Sequence, residues 1–319
     1  MSHPFSCIPP AFLDLLHVEY PFAFGNYAMF MRSIREGMVH LHSSLEENNP
    51  YRDGLPSSFN IFVSIKIDLC IGRYRIELIT QATFPGALRV IKEAFCQDEA
   101  AAVGSEVNKN PVAAEELMEL CADAALDGAS LVAVDVKTKE VAAAVFNKIQ
   151  VKTSDASEKT FFEIFAEKRC TQASSRSLIQ FMVDVDERCN LFEKYKVDCS
   201  LEIMFIATLR EHRRQKLATE LIKNSIEIAR RIKDGSIAPM KVEDLGPKYS
   251  HLNNPKPLNT YPKICQAIWT GKGTQAIGKL LNFKVHLTVP FSEFVFNGKT
   301  YSERIGDEAA FCEVVALSL

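Results

Sequence analysis

Apolar residues recur at helical spacing over residues 27–45, at Tyr27, Phe30, Met31, Ile34, Met38 and Leu41, and predict a helix there. The stretch SFNIFVSIKIDL then alternates, with Phe59, Ile61, Val63, Ile65, Ile67 and Leu69 on one face, which is the pattern of a strand. Between the two, EENNPYRDGLPSS has the Pro, Gly, Asn and Ser content of a loop.

From Arg73 onward the pattern becomes an alternation of short strands and helices, which predicts an α/β unit over 73–319 behind an N-terminal extension, 1–72, of unknown role. RYRIELI reads as a short strand. TFPGALRVIKEAF reads as a helix with Thr83 as its cap, Pro85 in its first turn and Leu88, Ile91 and Phe95 on one face. A helix over PVAAEELMELCADAALDG should end at Gly128, and ASLVAVDVKTKEVAAAVFNKI reads as a hairpin about the polar turn KTKE. One long helix is expected over 173–195, with Leu178, Ile179, Met182, Leu191 and Phe192 inward.

SLEIMFIATL is apolar on both alternating faces apart from Glu202 and Thr208, as a central strand covered on both sides would be. The helix after it uses Leu217, Ala218, Leu221, Ile222, Ala229 and Ile232. GPKYSHLNNPKPLNTYPK is a surface connection, and ICQAIW, TQAIGKLL, FKVHLTV and EAAFCEVVAL supply a strand, a helix and two more strands.

Composition narrows the function. An apolar fraction of 47% in 319 residues supports a substantial core. A net charge of −3 gives no global attraction to polyanions, so a nucleic-acid partner is not expected. No segment approaches the roughly 20 apolar residues of a membrane span, and the N-terminus has no leader pattern, so a cytoplasmic protein is expected. The nine cysteines are scattered, without zinc-ligand spacing, and reduced thiols are the simplest reading. His40 and His42 form the only close histidine pair, and no metal is expected there.

The candidate chemistry lies in LREHRRQKLATELI, where Arg210, Arg213, Arg214 and Lys216 surround the turn from the central strand into an amphipathic helix. Such a turn leaves unpaired N–H groups at the positive end of the helix dipole and suits a phosphate. A basic run of this kind is also the ordinary solvated start of a helix.

The order of strand, EHRRQKLA and amphipathic helix resembles the acetyl-coenzyme A signature of the Gcn5-related N-acetyltransferase superfamily, which runs Arg or Gln, two residues, Gly, one residue, Gly or Ala. Arg213, Leu217 and Ala218 match it or its usual neighbours, and Lys216 stands where the first glycine belongs. FCQDEA, CNLFEKY and TQAIGKLLNF, in that order, resemble further blocks of the insect-type arylalkylamine N-acetyltransferases. The resemblance covers the chain from about residue 74 onward.

It implies a mixed, mostly antiparallel central sheet flanked by helices. It also implies an acetyl-coenzyme A site in which strand main chain at Ile206, Ala207 and Thr208 holds the acetyl and pantetheine parts. Amides of Arg213, Arg214, Gln215, Lys216, Leu217 and Ala218 would wrap the pyrophosphate. Glu99 matches the family's proposed catalytic glutamate, with Asp98 beside it in a structural role. Gly273 replaces an expected aromatic and Asn282 an expected glycine. The implied function is transfer of acetyl to the primary amine of a small arylalkylamine by a monomeric enzyme through a ternary complex. The alternative is a catalytically weakened coenzyme A-binding or interaction protein of the same fold.

Overall fold

The computed structural model describes residues 69–152 and 159–319. The helix expected over 27–45 and all but the last residue of the strand expected over 58–69 lie outside these. Strand β1 (Leu69–Ile71) pairs antiparallel with β2 (Tyr74–Leu78). After β2 the chain forms α1 (Phe84–Val90), whose path continues through a wide π turn at Ile91–Phe95 and a last turn at Cys96–Asp98. Next come α2 (Ala100–Gly104), α3 (Pro111–Leu126), the hairpin β3 (Leu131–Asp135) and β4 (Val141–Val151), and α4 (Phe161–Lys168). They are followed by α5 (Ala173–Glu187), α6 (Leu191–Tyr195), β5 (Cys199–Thr208) and α7 (Leu217–Ile232). The chain ends with β6 (Ile264–Trp269), α8 (Lys272–Leu280), β7 (Lys284–Pro290), a small hairpin of β8 (Val295–Phe296) and β9 (Lys299–Thr300), α9 (Tyr301–Ile305) and β10 (Phe311–Ser318).

Eight strands form one sheet in the order β1-β2-β3-β4-β5-β6-β10-β7, antiparallel except where β5 meets β6. This is the mixed, mostly antiparallel sheet flanked by helices that the resemblance implies. Period-two alternation divides the strands between two cores. On β3, Leu131 and Ala133 pack with Leu221, Ile222 and Ala229 of α7, while Val132 and Val134 join the opposite core with Leu117 of α3 and Ile179 of α5. With apolar cover on both faces, β3 has no exposed position, which accounts for its unbroken apolar run.

Two predicted details differ. The helix expected over 173–195 is two helices, because Asn190 leaves the helical region and its side chain accepts the Glu193 N–H (3.1 Å) to start α6. Thr83 holds the cap position of α1 but spends its hydroxyl oxygen on the Thr80 N–H (3.0 Å), leaving the helix without a side-chain cap. Helix α4, which the sequence pattern did not reveal, carries a Thr160–Glu163 capping box.

Two contacts set the site's frame. Buried Asn147 on β4 donates its side-chain amide to Ala129 O (2.7 Å) and to Ser225 Oγ on α7 (2.8 Å), which fixes α7 on the sheet. Gly128, ending α3 as predicted, has φ +72°, and a Cβ there would lie 2.1 Å from the Ala238 carbonyl oxygen. Gly128→Ala is therefore expected to cost at least about 2 kcal/mol through left-handed strain and backbone displacement. In a thermal melt the midpoint should fall by roughly 4–8 °C; an unchanged midpoint would show that the turn adjusts freely.

Candidate active site

The site begins with an irregularity in β5. Phe205 faces Phe146 on β4, but Ile203 faces Asn147, so Met204 is an extra residue. A bulge of this kind reverses the alternation beyond it. Leu201 and Ile203 pack towards α7, whereas Phe205 turns to the α1 side, against Phe95 (ring centroids 4.3 Å apart), and Ala207 follows it. The parallel pairing of β5 with β6 stops at Glu202 and Gln266. Past that point the β5 edge from Ile203 to Thr208 faces an opening.

A cavity of about 690 Å³ fills this opening, within the size range of small-ligand pockets. Ile206, Ala207 and Thr208 line one wall, Asp98 and Glu99 a second, and Thr270 to Thr274 a third. Of the residues singled out by sequence, Glu99, Ile206, Ala207, Thr208 and Arg213 thus share one cavity. The side chains of Arg214, Gln215 and Lys216 are exposed and do not line it, Leu217 is buried under α7, and Ala218 lies in the helix's first turn.

The turn after β5 is anchored from inside. The Leu209 N–H donates to Ala142 O (3.0 Å) and its side chain is buried. His212, a member of the basic run, is also buried, with its Nδ1 2.9 Å from the Tyr74 hydroxyl. Arg214 and Lys216 both adopt left-handed φ, +62° and +60°. Lys216 is the N-cap of α7, and its side chain makes no cap bond. Its carbonyl accepts from Glu220 N–H (3.1 Å), so the N–H groups of Leu217, Ala218 and Thr219 open the 16-residue helix without intrahelical partners. Together with the positive helix pole they form an anion-binding arrangement.

The signature's glycine has a physical counterpart here, because Lys216 holds the backbone conformation that glycine takes without strain. Relief of roughly 1–2 kcal/mol of left-handed strain, less roughly 0.5–1 kcal/mol of added chain entropy, makes Lys216→Gly stabilising by about 0.5–1 kcal/mol. A denaturant midpoint that stays put or falls would contradict this.

Glu99 sits where α1 ends and α2 begins, in an extended conformation (φ −73°, ψ 141°). Its carboxylate caps α2, accepting from Ala101 N–H (3.0 Å) and Ala102 N–H (2.7 Å). Burial pushes its pKa up, and the Thr270 hydroxyl and these amides only partly offset that effect. A carboxylate held rigidly at a cavity wall with a raised pKa is suited to accept a proton. Capping is also a sufficient structural reason for a carboxylate at this position.

Asp98 points to the other side of the same corner. It binds the Arg210 guanidinium (Nε 3.0 Å) and Arg213 (Nη2 2.5 Å), while Arg213 Nε donates to Thr208 O (3.2 Å). Arg210 above all, then Arg213, holds the Asp98 carboxyl below its usual range. Asp98 thereby ties the end of α1 to the turn after β5, and a phosphate arriving there would compete with it for both guanidinium groups. Arg210, one of the basic residues that the sequence places around this turn, thus lines the cavity with Arg213 while held by Asp98. Thr270, assigned no site role from sequence, lines the same cavity and hydrogen-bonds Glu99. Thr274 donates its hydroxyl to Gly271 O (2.9 Å) at the start of α8, Gly273 has open space around its Cβ direction, and Asn282 has φ +62°, a conformation that glycine takes without strain.

The fold is one that the chain shares with solved N-acetyltransferases. The chain is similar in structure to a protein named as arylalkylamine N-acetyltransferase 7 from the mosquito Aedes aegypti (TM-score 0.57, 18% identity, 77% of this chain and 87% of that one). It is similar also to arylalkylamine N-acetyltransferase 2 of Aedes aegypti (TM-score 0.59, 15% identity, 77% and 98%). A third is the Drosophila melanogaster polyamine N-acetyltransferase that forms N-acetylagmatine (TM-score 0.56, 11% identity, 77% and 100%). No protein-family model matches the chain, and no curated protein matches it either.

Proposed function

We propose that this chain is an acetyl-coenzyme A-dependent N-acetyltransferase that acetylates the primary amine of a small arylalkylamine through a ternary complex. The observation that carries the reading is the shared cavity: Glu99, the unpaired edge of β5 and Arg213 line it, beside an uncapped helix start. The amides of Leu217 and Ala218, with Arg213 and Arg210, fit a pyrophosphate, and the β5 edge at Ile206–Thr208 fits an extended amide-bearing arm. Acetyl-coenzyme A bound in this way supplies an activated thioester.

An amine arrives as an ammonium ion, and Glu99 takes its proton, directly or through water, so that the lone pair is free to attack. An N–H of the β5 edge near Ala207 donates to the oxygen on which negative charge develops; when that adduct collapses the C–S bond breaks, the nitrogen gives up its second proton, and coenzyme A leaves as the thiol carrying it. Phe95 and Ile206 add apolar surface to the walls beside these groups.

One observation favours the second reading, a binding protein with weakened turnover: Lys216 keeps a side chain and a left-handed backbone where glycine is the fitting residue. A thiol-release assay with acetyl-coenzyme A against a panel of amines separates the two. Release with an arylalkylamine supports the enzyme, whereas tight cofactor binding without release by any amine supports the binding protein. Absence of cofactor binding contradicts both.

A further inference from the structure

The opening between β5 and β6 narrows to an apex at Glu202 and Gln266, where the pairing of the two strands stops. Just past that apex lies a recess of about 30 Å³, bordered by Ile203, Met204 and Phe205 of β5, by Ile268 at the end of β6, and by Met182 of α5. Phe95, Glu99 and Thr270 line both this recess and the main cavity. Consecutive residues of β5 also serve both, since Ile203 to Phe205 border the recess and Ile206 to Thr208 the cavity. The recess therefore continues the cleft past Glu99 towards the apex.

The bulge supplies one wall of this recess. Because Met204 is an extra residue, Met204 and Phe205 both pack on the α5 side of the sheet, where regular alternation would send one of them towards α7. The polar groups at the recess have partners of their own. Glu99 accepts from the Ala101 and Ala102 amides and from the Thr270 hydroxyl, while buried Glu202 accepts from Gln150 Nε2 (2.9 Å) and shares a separate cavity beneath α5 with Asp186. Most of the remaining surface is aliphatic, aromatic or thioether, so it takes hydrocarbon. A volume of about 30 Å³ matches the share of one water in the liquid and admits about one carbon group.

A cofactor with its pyrophosphate at the start of α7 and its arm along Thr208 to Ile206 directs its acyl end back along β5, towards Phe205 and Met204. We propose that the recess is an acyl-end pocket limited by Met204 and Met182, so that the protein transfers propionyl as well as acetyl and rejects longer chains. One added carbon enters the recess, and a second meets the two methionine side chains. The bonds made and broken are those already described: C–N forms, C–S breaks, and the second proton of the amine leaves on the thiol. This inference rests on the acetyltransferase reading, on its cofactor placement for binding and on its chemistry for turnover.

The test measures thiol release with acetyl-, propionyl- and butyryl-coenzyme A on one amine, using the native chain, Met204→Ala and Met182→Ala, each checked by circular dichroism to be folded. Met182→Ala enlarges the recess from a different element, so the test survives if Met204→Ala disturbs the bulge. In the native chain kcat/KM for propionyl should be comparable to that for acetyl, and that for butyryl lower by about tenfold or more, the usual effect of one methylene too many in a closed pocket. In both variants the ratio of butyryl to acetyl should rise by about tenfold. Equal use of butyryl and acetyl by the native chain, rejection of propionyl as strong as that of butyryl, or an unchanged ratio in both variants overturns the pocket and leaves the enzyme reading standing. Calorimetric titration of the same thioesters gives a readout that needs no turnover. The expected ranking in affinity without thiol release supports the pocket and sinks the enzyme reading alone. No binding of any thioester overturns the pocket together with the cofactor site.

Discussion

Glu99→Gln should lower kcat/KM for amine acetylation by about 10²–10⁴-fold, the usual contribution of a positioned general base. The neutral amide keeps the shape and one oxygen acceptor for the α2 amides, but it has no charge with which to take the ammonium proton. The pH profile separates this role from capping. Because the carboxyl pKa lies above its ordinary value, native kcat/KM should rise with pH along a limb displaced upward from the normal carboxylate range. The ionised carboxylate is the working form, and Glu99→Gln should remove that limb.

Stability should move the opposite way. A raised folded-state pKa means that folding favours the protonated carboxyl, so its stabilising contribution is complete below the unfolded pKa and is lost as pH rises through the folded one. Near neutral pH the uncharged glutamine escapes that loss, and the variant should melt no lower than the native chain. A melting point that falls together with activity would mark Glu99 as a cap and nothing more.

Most of the architecture follows from alternation and helical spacing. SLEIMFIATL reads as a central strand because both of its faces are covered, and Gly128 ends α3 because only glycine takes φ +72° there without strain. What the pattern hides are the breaks in it. The Met204 bulge exchanges the faces of β5 but leaves the residue types apolar throughout, so nothing in the composition marks it. The break before α6 depends on a single Asn190 cap within an otherwise continuous helical period.

The site was legible where main chain does the work and obscure where long-range pairing does. The strand-to-helix junction is visible from order alone. That His212 turns inward to Tyr74, and that Asp98 is tied to Arg210 and Arg213, depends on residues brought together from distant parts of the chain. The pairing of Glu202 with Asp186 in one cavity is of the same kind.

The proposed cofactor site depends most on main-chain donors at the start of α7, and Ala218→Pro isolates one of them. Ala218 is in the first turn, where its N–H has no intrahelical acceptor, so proline deletes the donor while keeping a helical φ. Loss of one hydrogen bond to a charged group costs about 1.5–3 kcal/mol, or roughly 10–100-fold in affinity. The side chain removed is only a methyl group, so packing changes little.

The decisive measurement is a calorimetric titration of acetyl-coenzyme A into the native chain and Ala218→Pro. Binding by the native chain, weakened roughly 10–100-fold in the variant at a nearly unchanged melting temperature, is the predicted result. Equal affinity in both proteins, or no binding by the native chain, would contradict a phosphate site built from the main chain of this junction.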